Sequence, residues 1–97
     1  MNLFITWNRQ KARSNRRKHG VTFEEAASVF YDPLSLTVDD PLHSNDEDRF
    51  IIIGISTQRR ILVVAHTDEG DVIKIISARL AESHERKQYE EGYYSGD

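Results

Sequence analysis

The chain contains no cysteine. Disulfides, thiolate metal sites and a cysteine nucleophile are therefore excluded. It also lacks a long apolar run: the longest, Phe50-Ile-Ile-Ile-Gly-Ile55, is far too short to span a bilayer. The first residues do not show the positive-then-apolar pattern of an export signal. A cytoplasmic protein without membrane contact is the expectation. There is no internal repeat. Gly-rich phosphate loops, His-Glu-x-x-His and Asp-rich metal motifs are missing as well. The histidines stand in distant segments without ligand spacing, so no metal and no cofactor is expected.

One further shortage is local. Between Trp7 and Phe23 there is no acidic residue, while Arg9, Lys11, Arg13, Arg16, Arg17 and Lys18 crowd the same stretch. The rest of the chain is acidic enough to give a net charge of -3. A cationic face on an anionic small protein points to an anionic partner, with RNA the leading candidate. Lys11, Arg16, Arg17 and Lys18 are the residues expected to hold RNA or an acidic protein partner.

The composition, 38% apolar and 30% charged, is that of a globular chain rather than a disordered one. One domain over residues 1–92 is expected, with 93–97 a frayed tail. Leu3-Phe4-Ile5-Thr6-Trp7 reads as a short edge strand. Asn8 caps a helix from Arg9 to Lys18, and Gly20 ends it. Thr22 with Glu25 forms a capping box that opens a second helix through Phe23, Ala26, Ala27 and Phe30, stopped by Asp32-Pro33. Leu34, Leu36 and Val38 alternate with polar residues as a half-buried strand does. An acidic, turn-rich connection follows over Asp39–Asp48.

Strands are expected over Arg49–Ser56, Ile61–Thr67 and Val72–Ser77, joined by hairpins, with Gly70 supplying positive φ in the second. A last helix runs from Ala81 to Glu91 with Glu82, Glu85 and Arg86 facing water. The order β-α-α-β-β-β-β-α implies an α+β fold, a small antiparallel sheet packed with helices.

Polar residues that interrupt the last strands are the candidates for chemistry. His66 breaks the apolar run Ile61-Leu-Val-Val-Ala, and Lys74 and Arg79 break the next strand. If the hairpin pairs as drawn, His66 and Lys74 lie near one another on the sheet. A base or acid beside cations suits RNA cleavage without a metal. One group takes the 2′-hydroxyl proton, cations stabilise the charged phosphorane, and a donor protonates the leaving 5′-oxygen. Plainer roles compete: His66 as a structural residue, Lys74 as a solubilising one, and Arg79 paired with Glu82 or Glu85. His19 suits a helix C-terminus, and His43 and His84 receive no role.

The chain resembles the BrnT family of ribonuclease toxins from bacterial type II toxin–antitoxin modules. The resemblance rests on Trp7 with Lys11 and Asn15, Lys18-His19-Gly20-Val21, Phe23-Glu24-Glu25-Ala26, Val29-Phe30 and Asp32-Pro33. It continues through His43-Ser44, Glu47-Asp48-Arg49, Gly54, Leu62-Val63-Val64, His66-Thr67, Ile75-Ile76-Ser77-Ala78-Arg79 and Glu85-Arg86 with Tyr89. It implies a RelE-like ribonuclease fold that inhibits translation by cutting RNA. It also implies a cognate BrnA-type antitoxin that neutralises the toxin and is itself the contact to operator DNA. Arg49, Lys74 and Arg79 are taken as phosphate or transition-state ligands, His66 as the acid or base, and Tyr89 as a further acid or stacking residue. Family members commonly carry arginine where this chain has Lys74, which keeps the charge but loses the planar fork. The alternative is a binding module with weak or no catalysis that acts with the antitoxin in operon repression.

Overall fold

A computed structural model describes residues 3–40 and 48–92. The expectations for the middle of the acidic connection and for the tail fall on 41–47 and 93–97 and lie outside the described residues. The elements are β1 (Phe4–Trp7), α1 (Arg9–His19), α2 (Phe23–Ser28) running into a 3-10 turn (Val29–Tyr31), β2 (Leu36–Asp39), β3 (Arg49–Ile55), β4 (Ile61–Glu69), β5 (Val72–Leu80) and α3 (Ser83–Gly92).

Local chemistry sets the helix ends. The Asn8 side chain accepts from the backbone N–H groups of Gln10 and Lys11, and Gly20 closes α1 at φ 71°, where a side chain would be strained. Thr22 caps α2 by accepting from Glu25 N–H. The other half of the expected capping box does not form. The Glu25 carboxylate turns away from the cap and takes hydrogen bonds from Ser56 Oγ (2.7 Å) and Arg60 Nε (2.9 Å), with a second Arg60 nitrogen on its other oxygen. Glu25 is buried, so this pairing outweighs a local cap. The Arg60 hydrogen bonds hold its carboxyl below the usual range against the opposing effect of burial. The pair ties α2 to the β3–β4 hairpin.

The strands form one five-stranded sheet in the order β1-β5-β4-β3-β2. It is mixed, not purely antiparallel: β1 runs parallel to β5, with Phe4 opposite Val72 and Trp7 opposite Ile75. A parallel pair needs a long crossover, and the whole chain between β1 and β5 supplies it. β1 does lie at an edge, as its composition implied.

Against one face of the sheet pack α1, α2 and the 3-10 turn. Phe23, Val21, Ala26 and Val29 meet Ile52, Leu62, Val64, Ile75 and Ala78 there. On the other face Ile53, Val63 and Ala81 pack with Ile51, Ile61 and Tyr89 of α3. Gly54 is required where β3 passes the 3-10 turn: a Cβ there would sit 2.8 Å from Val29 Cγ1 and 3.1 Å from Asp32 Oδ2.

Two features of β5 position the site. The β4–β5 ladder slips between Ala65, opposite Ser77, and His66, opposite Ile75, leaving Ile76 as an extra residue. The bulge resets the alternation, so Ile75 and Ala78 both reach the helix-covered core while Lys74, Ser77 and Arg79 share the opposite face. β1 ends at Trp7, opposite Ile75, so the β5 edge beyond it would be bare. Asn15 covers it. Its side chain accepts from Ala78 N–H (3.0 Å) and donates to the oxygens of Ala78 (2.8 Å) and Val21 (3.0 Å). A buried asparagine thus substitutes for a strand and binds the cationic helix to the sheet.

Candidate functional site

Strand register places three cations of the sequence analysis together or apart. Arg49 pairs with Thr67, and Thr67 with Lys74. This row lies on the face of the sheet opposite the helix-packed core. With Lys11 of α1, Glu69 and Ile76, it lines a small hollow of about 140 Å³. Ile76 and Lys11 also line the next depression, about 270 Å³, with Ser14, Lys18, His19 and Ser77. Lys18 and His19 in turn border a third, about 480 Å³, with Arg79, Leu80 and Glu82. The three share walls and form one track along the seam between α1 and β5. Lys11, Lys18, Lys74, Arg49 and Arg79 line it, and Glu69 and Glu82 are its acids among the described residues.

Lys11 and Lys18 are seven residues apart, so both stand on the helix face turned to the seam. Arg16 lies on the flank of α1 turned away from the seam, and Arg17 is exposed. Arg79 is half-exposed and held by a two-point pair with Glu85, NH1 to Oε1 and NH2 to Oε2, both 2.7 Å. Glu85 therefore does not simply face water, and the Arg79 hydrogen bonds hold its carboxyl below the usual range. Of the two pairings that the sequence left open for Arg79, the structure shows the one with Glu85.

His66 is not on this track. It pairs with Phe50 and Ile75 and points with Leu62 and Val64 into the helix-covered core. The expectation that His66 and Lys74 share a neighbourhood fails for that reason: consecutive partners in the register, Thr67–Lys74 and His66–Ile75, face opposite sides. Its ring lies edge-on to Phe30 (centroids 4.8 Å) and stacks on Phe50 (5.7 Å). It is 2% exposed, Nδ1 meets Asp68 Oδ1 at 2.8 Å, and Nε2 has no hydrogen-bond partner among the described residues. Burial pushes its pKa down, opposed by Asp68.

In the unfolded chain an imidazole titrates near 6.5, whereas the folded protein takes up that proton only at lower pH. The unfolded state then binds more protons as pH drops through 6.5, so stability falls. The lowered carboxyls of Glu25, Asp32 and Glu85 start from 4.5, 3.8 and 4.5 and act only below that interval. Thermal unfolding measured between about pH 7 and pH 5 is expected to show a drop that His66→Leu removes. An equal drop in both proteins contradicts it.

Tyr89 is also away from the track. It packs with Ile53, Val63 and Ala81, and its hydroxyl donates to Asp32 Oδ2 at 2.6 Å. Asp32 further accepts from Ile55 N–H and Leu34 N–H. Burial, then the Asp32 hydrogen bond, pushes the phenol up to about 12. A proton held that firmly is a poor one to donate, and the hydroxyl latches α3 to the loop before β2. The structure thus lines one track with Lys11, Arg49, Lys74, Lys18 and Arg79 and leaves His66 in the interior and Tyr89 half-buried against α3's face of the sheet. Sequence reasoning missed Asn15 as the anchor and Glu69 as the carboxylate that lines the hollow with Lys11, Arg49 and Lys74. Glu69 carried a weak signal, two residues beyond Thr67 on the same strand face.

Among the described residues, Glu82, His84 and Glu85 form the only group with metal-ligand spacing. Glu85 is already committed to Arg79, so the group makes a poor ligand set. No described helix is long and apolar enough to cross a membrane.

The family model described as the ribonuclease toxin BrnT of type II toxin–antitoxin systems matches residues 7–85. No curated relative matches. Among solved structures, the 1.1 Å crystal structure of the Brucella abortus ribonuclease toxin BrnT superposes with a TM-score of 0.66 at 22% identity, covering 84% of this chain and 100% of that one. That likeness shows a shared fold.

Proposed function

The chain belongs to the BrnT family of ribonuclease toxins of type II toxin–antitoxin systems, and from that premise we propose that it cuts RNA without a metal in the hollow formed by Lys11, Arg49, Lys74 and Glu69. The observation that carries this reading is the convergence of three cations from α1, β3 and β5 on one polar hollow with, among the described residues, a single carboxylate at its wall. A phosphodiester is the anion such a set can hold, because several cations around one phosphate offset the charge that builds up on a phosphorane. The reading takes the fold as a RelE-like ribonuclease acting on translated RNA in the cytoplasm.

The chemistry balances within the chain. The Glu69 carboxylate takes the proton of the 2′-hydroxyl. The freed oxygen attacks the adjacent phosphorus, and the P–O5′ bond breaks. A lysine ammonium of the hollow returns a proton to the leaving 5′-oxygen. The products are a 2′,3′-cyclic phosphate and a 5′-hydroxyl, with no oxidant or water consumed in the step. Arg79, gripped by Glu85, sits further along the track, where it meets phosphates flanking the cut.

The protein partner that fits this reading is a BrnA-type antitoxin whose acidic residues cover the same track. Operator DNA is then reached only through that antitoxin.

The test is incubation of antitoxin-free protein with RNA in EDTA, with analysis of the new ends. Products carrying 2′,3′-cyclic phosphate, formed by the native chain and strongly reduced in Glu69→Gln, are expected. Cleavage that needs added divalent metal, or that leaves a 5′-phosphate, contradicts the mechanism. No cleavage by folded protein favours the binding module.

A further inference from the structure

The flank of α1 turned away from the seam carries a second hollow, about 470 Å³, lined by Trp7, Arg9, Arg13, Arg16, Phe23 and Glu24 among others. We propose that it is an accessory RNA site that holds a single-stranded stretch outside the cleaved linkage, with phosphates on the three guanidiniums and a base against Trp7. The proposal rests on the ribonuclease reading above.

The arginines stand at i, i+4 and i+7, so they share one helix face. From Arg9 to Arg16 the helix rises about 10 Å, enough to meet more than one phosphate of a strand. All three are exposed, and among the described residues no ion pair or hydrogen bond engages their side chains. Glu24 is the one acid in the wall among the described residues.

The placement works against the helix itself. The first turn of α1 holds no acid and carries Arg9 and Lys11, where the positive end of the helix dipole disfavours cations. Folding gains nothing from the Arg9 guanidinium there, whereas an anionic ligand at that end gains from both the side chain and the dipole.

The aromatic wall selects the kind of anion. Trp7 is half-buried and fixed by an edge-on contact with Phe23, with centroids 6.0 Å apart and planes at 83°. A rigid indole beside guanidiniums is the combination that binds single-stranded nucleic acid, since any base stacks on it. An acidic peptide needs the charges but not the ring. The volume lies in the range of pockets that hold small ligands.

Trp7 is the only tryptophan of the chain, so its fluorescence reports on this hollow. The test pairs two measurements. First, a 2′-O-methyl RNA of about a dozen nucleotides and one of three are titrated into the native chain. The long oligonucleotide is expected to quench Trp7 and the short one not. Second, KM for cleavable RNAs of the same lengths is compared in the native chain and in Arg9→Gln/Arg13→Gln, with circular dichroism as the check on folding. The native chain is expected to show a KM at least about tenfold lower for the long RNA, and the variant to lose that difference.

An unchanged length dependence in the folded variant, with no quenching by long RNA, overturns the proposal. Quenching by a poly-glutamate peptide but not by RNA overturns it in favour of a protein partner. Quenching by long RNA with no cleavage of any substrate supports this site while refuting the ribonuclease mechanism, so the two failures are told apart.

Discussion

Lys74→Ala is expected to lower the rate of RNA cleavage by about two to three orders of magnitude, the usual loss when one preorganised group facing transition-state charge is removed. The side chain is exposed and joins Arg49 and Lys11 at one hollow. Its effect belongs to the reaction rather than to folding, so the unfolding temperature is expected to stay put. Lys74→Arg keeps the charge and is expected to retain most of the activity. Single-turnover cleavage at saturating enzyme separates the chemical step from binding. A Lys74→Ala rate within about threefold of native would remove Lys74 from the reacting centre.

Asn15→Ala is expected to have the largest effect on stability. The substitution strips partners from Ala78 N–H, Ala78 C=O and Val21 C=O at once. Each buried backbone group left without a partner costs about 1–3 kcal/mol, so the total loss is expected at about 3–5 kcal/mol. A domain of this size has about 5–15 kcal/mol in all. Asn15→Asp recovers only the bond from Ala78 N–H and leaves two carbonyls facing an anion, so it too is destabilised. Urea unfolding at neutral pH measures both. A loss below about 1 kcal/mol for Asn15→Ala would mean that α1 is held to β5 by apolar packing alone.

Local features were legible because their causes are local. The caps at Asn8, Gly20 and Thr22, the stop at Asp32-Pro33 and the turn at Gly70 all depend on residues within a few positions of one another. The strands of the second half were legible from their apolar runs, although β4 and β5 extend to Glu69 and Leu80, further than apolarity alone implied.

What depended on distant pairing was not legible. Glu25 looks like half of a capping box until Arg60, remote in sequence, claims it. β1 reads as an edge strand, but nothing in Leu3–Trp7 says that its neighbour is β5 and runs parallel. His66 shows the limit most clearly. Both faces of β4 are largely apolar along Ile61–Ala65, so alternation does not tell which face the histidine takes. The bulge at Ile76, invisible in the sequence, then decides which polar residues of β5 share a side. Lys74 and Arg79, of opposite parity in the sequence, end on the same one. The cations that line the track were therefore named in the sequence, whereas the histidine that was expected beside Lys74 lies on the opposite face of the sheet.

The central claim is that the scissile phosphate sits over Lys11, Arg49 and Lys74 and not beside His66. The measurement that tests it most directly is an NMR titration of the isotope-labelled, antitoxin-free protein with a 2′-O-methyl RNA, which binds but lacks the attacking hydroxyl. Shift changes centred on Lys11, Arg49, Thr67, Lys74 and Ile76 are the predicted result. Changes centred on Phe30, Phe50 and His66, with the Lys74 row unmoved, would contradict it.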